Sequence, residues 1–97
     1  MARAWNQKKF DSIYSEFICH HFGLSAPADY CLRYRSRYKA LIKRFCDFAS
    51  PAPIDVLDVG GGQLALLCKK LWNDRACVAD LSRRLFPYLE SHGVETV

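Results

Sequence analysis

The sequence predicts an α/β protein: a partial Rossmann-like parallel sheet of two to three strands, preceded by an α-helical N-terminal extension. Three observations predict this class. Apolar residues recur at helical spacing in the first half, short β-branched runs replace them in the second half, and three consecutive glycines follow the first such run. Two prolines at residues 50–53 separate the halves, so we expect a helical extension at 1–50 and a sheet domain at 51–97.

Length and composition exclude several classes of protein. A chain of 97 residues with 51% apolar and 25% charged residues is a small folded domain rather than a disordered one. No run approaches the roughly 18 apolar residues that span a bilayer, so we expect no membrane partner. The N-terminus lacks the apolar core of a secretory signal, and the five cysteines form no CxxC pair. These features favour the reducing cytoplasm.

Two helices are expected in the first half. Gly23 ends the first, and Ser25 begins the second, with Pro27 and Asp29 in its first turn. The apolar face of the first helix is Phe10, Ile13, Tyr14, Phe17, Ile18 and His21. The apolar stripe of the second is Tyr34, Tyr38, Leu41, Ile42, Phe45, Phe48 and Ala49.

Strands and helices alternate in the second half. We expect strands at 54–59, 76–79 and 94–97, and helices at 64–71 and 82–92. Alternation with short links is typical of parallel strands joined by helical crossovers. The inward residues of the first of these helices are expected to be Leu64, Leu67, Cys68 and Leu71.

A glycine turn and a carboxylate form the strongest functional pattern. Gly60, Gly61 and Gly62 join a strand to a helix without side chains, so a ligand can approach the backbone and the helix N-terminus closely. Asp80 ends the next strand, where its oxygens can accept both hydroxyl hydrogens of a ribose. The spacing of twenty residues from Gly60 to Asp80 is that of one strand–helix–strand unit.

The run Asp58-Val59-Gly60-Gly61-Gly62 and the later Asp80 resemble the first two motifs of class I S-adenosylmethionine-dependent methyltransferases, over residues 54–97. The resemblance implies S-adenosylmethionine as cofactor. In such a site the glycine turn contacts the methionine end, Asp58 helps to hold the amino group, Asp80 holds the ribose, and Leu81 lies against the adenine. The cofactor-binding residues implied are Asp58, Gly60, Gly61, Gly62, Gln63, Asp80 and Leu81.

Two departures from the family pattern limit what the resemblance implies. Leu64 stands where the family has a further glycine, which crowds the turn. The family fold has more strands than the three that this sequence supplies at most, so the chain resembles an N-terminal part or a truncated relative. No residue is identified as catalytic, the methyl acceptor stays unknown, and we expect weak or no turnover from residues 1–97 alone.

Two other functions fit the same residues. Gly60-x-Gly62-x-x-Ala65 with Asp80 also matches the dinucleotide fingerprint, so an NAD(P)-binding Rossmann fragment is the first alternative. Asp58 favours the methyltransferase, because dinucleotide enzymes usually have an apolar residue there. The second alternative is a non-enzymatic interaction module, in which the glycines and Asp80 are structural and the chain self-associates through an exposed sheet edge.

Other polar clusters have ordinary structural explanations. The Lys/Arg residues between Arg33 and Arg44 could contact phosphates, yet the neighbouring tyrosines fall on the apolar stripe, so a solvated helix face is favoured over nucleic-acid binding. Cys19, His20 and His21 point in different directions on a helix, so we expect no metal site.

Overall fold

The computed structural model describes residues 3–23 and 33–97, which belong to two compact units, Met1–Pro51 and Ala52–Val97. The predicted helix start at Ser25, with Pro27 and Asp29, lies outside the described residues. No helix in the described ranges is both long enough and apolar enough to cross a bilayer.

Helix α1 (Gln7–Phe22) has a defined cap at each end. The Asn6 side chain accepts the Lys9 N–H at 2.9 Å, and Gly23 closes the helix with a φ of 65°. The predicted apolar face is confirmed for its first five members, and His21 is only partly buried. The buried residues are Phe10, Ile13, Tyr14, Phe17 and Ile18.

Helix α2 (Arg35–Phe48) buries less of its apolar stripe than predicted. Its fully buried residues are Ile42 and Cys46, and the Cys46 carbonyl accepts the backbone N–H of Arg3 at 3.0 Å. The prediction was wrong for three members of the stripe, Tyr34, Leu41 and Phe48, which are exposed. The predicted apolar stripe therefore covers more of the surface of α2 than the neighbouring residues of the unit bury.

The second unit contains an open parallel sheet of three strands in the order β1 (Asp55–Val59), β2 (Arg75–Ala79) and β3 (Glu95–Thr96). The predicted α/β class with a short parallel sheet is confirmed. Helix α3 (Gln63–Trp72) packs on β1 and β2, and α4 (Phe86–Ser91) packs on β3. The free cysteine thiols that the structure describes form no disulfide.

Side chains alternate between a buried and an exposed face of the sheet. Val56, Ala76 and Val78 are buried beneath the helices. Leu57 and Val59 point to the other face and are exposed. The alternation follows from the two-residue period of a strand, and among the described residues it gives one covered face and one bare face.

Helix α4 starts later than predicted, and α3 buries a different set of side chains. Helix α4 begins at Phe86 rather than near Ser82, because the Ser82 N–H bonds to the Asp80 side chain in a turn that follows β2. In α3, Leu64 and Leu71 are only partly buried. The first turn of α3 is held by Asp58 through Ala65, which sets the rotation of the helix against the sheet. The buried residues of α3 are Ala65, Leu66, Leu67 and Cys68.

A buried carboxylate holds the end of the sheet opposite to the glycine turn. Asp74 is 0% exposed, and its Oδ1 accepts the Ile54 N–H at 3.0 Å. Asn73, in the left-handed conformation at φ 58°, ends α3 and places Asp74 there. Asp74 therefore fixes the start of β1 beside the start of β2.

We expect Asp74→Ala to lower the free energy of unfolding by about 1 to 3 kcal/mol, because the Ile54 N–H loses its acceptor in a buried place. Asp74→Asn keeps an oxygen for that N–H and should lose less. Urea unfolding measures both. Asp55→Ala, an exposed acid on β1, is the control and should stay within about 0.5 kcal/mol of the wild type. Equal losses for Asp74→Ala and the control would contradict the assignment.

Candidate functional site

The turn between β1 and α3 requires glycine at three successive positions. Gly60, Gly61 and Gly62 have φ values of 87°, 85° and 101°, in the region that side chains disfavour. The Gly60 N–H donates to the Ala79 carbonyl at 2.8 Å, which ties the turn to the end of β2. The turn is therefore part of the carboxyl edge of the sheet.

The three glycines have different surroundings. A Cβ on Gly62 would lie 2.9 Å from Cδ1 of Leu89, so this glycine allows α3 and α4 to approach each other. A Cβ on Gly61 would meet only the end of the flexible Gln63 side chain, at 2.6 Å from Oε1. A Cβ on Gly60 would meet no heavy atom within 4 Å. Gly60 is therefore the glycine that leaves open space for a ligand.

Asp80 joins the glycine turn to the end of β2. Its Oδ2 accepts the Gly61 N–H at 3.1 Å, and its Oδ1 accepts the Ser82 N–H at 3.0 Å. These N–H groups, that of Ser82 first, lower the pKa of Asp80, so the carboxylate is ionised at neutral pH. A carboxylate has about four acceptor positions, so Asp80 can accept further hydrogens from a ligand.

A hollow lies above the carboxyl ends of the strands. Its volume is ≈ 430 Å³, within the range of about 300 to 1,000 Å³ typical of small-molecule sites. Ligands of open parallel sheets bind at this edge. Asp80 is the one charged residue among the lining residues, which are Val59, Gly60, Ala79, Asp80, Leu81 and Val97.

Asp58 is the fourth residue of β1 and holds the first turn of α3. Its Oδ2 accepts the Ala65 N–H at 3.2 Å, one of the N–H groups that the first turn of a helix leaves without a helical partner. Burial raises the pKa of Asp58, the N–H groups of Ala65, Leu64 and Gly62 partly offset that rise, and the charge of Asp80 adds to it. The geometry makes Asp58 a residue that positions the glycine turn.

The structure places the predicted site residues in two groups. Gly60, Asp80 and Leu81 line the hollow, and the Leu81 side chain is fully exposed. The other four, Asp58, Gly61, Gly62 and Gln63, build or flank the turn behind it. The sequence analysis missed three lining residues, Val59, Ala79 and Val97. Strand alternation could have identified two of them, because it places Val59 and Ala79 on the face of the sheet opposite to Asp58 and Val78.

Comparison of the chain with family models, with curated proteins and with solved structures finds no match. Among the described residues, no three His, Cys, Asp or Glu side chains lie close enough together to hold a metal ion. The function of the hollow is therefore argued from its own geometry and charge.

Two alanine variants separate the backbone role of the glycines from their packing role. Gly60→Ala adds a side chain in open space, so its cost is the left-handed φ, about 1 to 2 kcal/mol. Gly62→Ala has the same backbone cost and also contacts Leu89, which adds about 1 to 3 kcal/mol. Thermal or urea unfolding measures the two losses. A smaller loss in Gly62→Ala than in Gly60→Ala would show that the Leu89 contact is not limiting.

Variants of Asp58 separate its hydrogen bond from its charge. Asp58→Asn keeps an oxygen for the Ala65 N–H and removes a partly buried charge, so stability should stay within about 1 kcal/mol of the wild type. Asp58→Ala removes the acceptor and should cost about 1 to 3 kcal/mol. Urea unfolding at neutral pH measures both variants. Equal losses in the two variants would contradict the capping role.

The raised pKa of Asp58 also predicts a pH dependence with a definite sign. The folded state binds the Asp58 proton more tightly than the unfolded state does. The unfolding free energy of the wild type should therefore fall relative to that of Asp58→Asn as the pH rises from about 4 through the raised pKa. Urea unfolding across this range measures the difference, and a flat difference would contradict the prediction.

Proposed function

We propose that the second unit is the S-adenosylmethionine-binding part of a methyltransferase. The observation that carries the proposal is the position of Asp80, ionised and with free acceptor positions, at the edge of a hollow beside the glycine turn. Asp80 accepts the ribose hydroxyls, the open space at Gly60 admits the cofactor close to the backbone, and Leu81 lies against the adenine. Gly61, Gly62 and Gln63 support the turn behind them.

The charge of the site favours S-adenosylmethionine over a dinucleotide. The sulfonium cofactor carries a net positive charge, whereas the pyrophosphate of NAD(P) is an anion. None of the six residues that the structure describes around the hollow is basic, and Asp80 is one of them. Asp58 already takes the Ala65 N–H at the start of α3, where a pyrophosphate would bind in a dinucleotide site. Both carboxylates repel an anion and attract a cation.

The proposed chemistry divides between the cofactor and the chain. When bound, S-adenosylmethionine supplies a methyl group that is activated by its sulfonium. The residues of this unit bind and orient the nucleoside, with Asp80 at the ribose and Leu81 at the base. Asp58 holds α3 and the turn in the geometry that binding needs. No residue of this chain is assigned a catalytic role, and no methyl acceptor is assigned.

Calorimetric titration of the full chain with S-adenosylhomocysteine and with NAD tests the proposal. We expect S-adenosylhomocysteine to bind more tightly than NAD. Asp80→Ala should weaken its binding about 10- to 100-fold, because hydrogen bonds to an ionised acceptor are lost. Leu81→Ala should weaken it several-fold and leave the fold unchanged, because this side chain is fully exposed.

Asp55→Ala is the matched control, since Asp55 is an exposed acid at the opposite end of β1 and should leave affinity unchanged. Circular dichroism checks that each variant is folded. Tighter binding of NAD would contradict the proposal and favour the dinucleotide alternative. Binding of neither ligand would also contradict it, and would leave an interaction module that uses the bare face of the sheet at Leu57 and Val59.

A further inference from the structure

Helix α2 carries a line of apolar side chains that no described neighbour buries. The exposed fractions are 55% for Tyr34, 37% for Leu41 and 79% for Phe48. These residues are seven positions apart, close to two helical turns, so they lie along one side of α2 over about 21 Å. We call Tyr34, Leu41 and Phe48 the α2 stripe. A line of large exposed apolar groups on one helix face marks an interaction surface.

Cationic side chains border the α2 stripe on one side. The guanidinium of Arg37 lies 5.7 Å from the centre of the Tyr34 ring, and that of Arg44 lies 5.7 Å from the centre of the Phe48 ring. The helix contains a single acid, Asp47, against five bases, but Arg35 is paired with Asp11 at 3.7 Å and Lys43 lies over the Trp5 ring. The positive charge beside the stripe therefore comes from Arg37 and Arg44.

We propose that the α2 stripe binds the surface of a membrane that contains anionic lipids. Three apolar groups in a straight line reach the same depth of a flat interface, where their burial among acyl chains is favourable. Arg37 and Arg44, at the level of the rings, then lie among the anionic headgroups. The helix lies in the plane of the interface and does not cross the bilayer, in keeping with its length of 14 residues. The proposal therefore departs from the expectation of no membrane partner, which rested on bilayer-spanning segments alone.

The same observations argue against two other partners. A nucleic acid that stacks successive bases would need a row of aromatic rings, but Leu41 in the middle of the stripe offers none. A second α2 helix would bring two strongly basic helices together, and like charges repel. A membrane matches both features, because its anionic headgroups attract Arg37 and Arg44 and its acyl chains accept the apolar side chains of the α2 stripe.

Sedimentation of the full chain with phospholipid vesicles tests this inference. We expect it to bind vesicles of mixed phosphatidylserine and phosphatidylcholine, to bind pure phosphatidylcholine far more weakly, and to dissociate as salt is raised. Phe48→Ser should lower partitioning about tenfold through lost apolar burial. Arg37→Gln and Arg44→Gln should each lower it about fivefold, and only on anionic vesicles.

Leu57→Ser is the matched control, because Leu57 is an apolar residue of the second unit that is 64% exposed, within the range of the stripe residues, and should leave partitioning unchanged. Circular dichroism checks the fold of each variant. An equal loss in Leu57→Ser would overturn the assignment to α2, and so would an absence of binding to anionic vesicles. Tight binding of a single-stranded oligonucleotide without vesicle binding would overturn it as well. Cofactor affinity is measured separately, so each proposal can fail without the other.

Discussion

The hydrogen bonds of the Asp80 carboxylate connect the two sides of the crevice above the sheet. Gly61 is partly buried and lies in a turn whose left-handed backbone leaves its N–H without a helix or strand partner, so this N–H takes its acceptor from a side chain. Asp80 supplies it with an ionised oxygen, which makes a stronger bond than a neutral one. The position of the turn, the start of α3 and the edge of the hollow all depend on this contact.

Two further aspartates act in the same way at other joints of the second unit. Asp58 holds the first turn of α3 through Ala65, and Asp74 holds the start of β1 through Ile54. Each carboxylate therefore accepts a backbone N–H where one element gives way to another. Of these three aspartates, Asp80 lines the hollow, whereas Asp58 and Asp74 hold backbone N–H groups away from it.

The features that sequence reasoning predicted are those that depend on local pattern. Short β-branched or apolar runs and the glycine turn located β1 and β2, and the topology of parallel strands brought Asp80 to the turn. The start of α4 was missed because the Asp80 side chain accepts the Ser82 N–H two residues later, and this local turn moves the start of the helix to Phe86. The other features that it missed depend on partners distant in the sequence.

The same limit explains the errors in the helices. Apolar spacing defines a stripe on α2, but the width of the neighbouring surface decides that Ile42 is buried and Phe48 is not. In α3, the bond from Ala65 to Asp58 fixes the rotation of the helix, and no periodicity within α3 contains that information. The resemblance of the turn to the family motif likewise did not indicate that the glycines have different roles. Gly60 faces open space, whereas Gly62 packs against a helix.

The contact between Gly62 and Leu89 gives the crevice a means of adjustment that lies outside it. Because the missing Cβ lets the start of α3 lie against Leu89 of α4, a larger side chain at either position would push the start of α3 and the glycine turn away from α4. The turn that borders the hollow therefore takes its position from the packing of two residues that do not line the hollow.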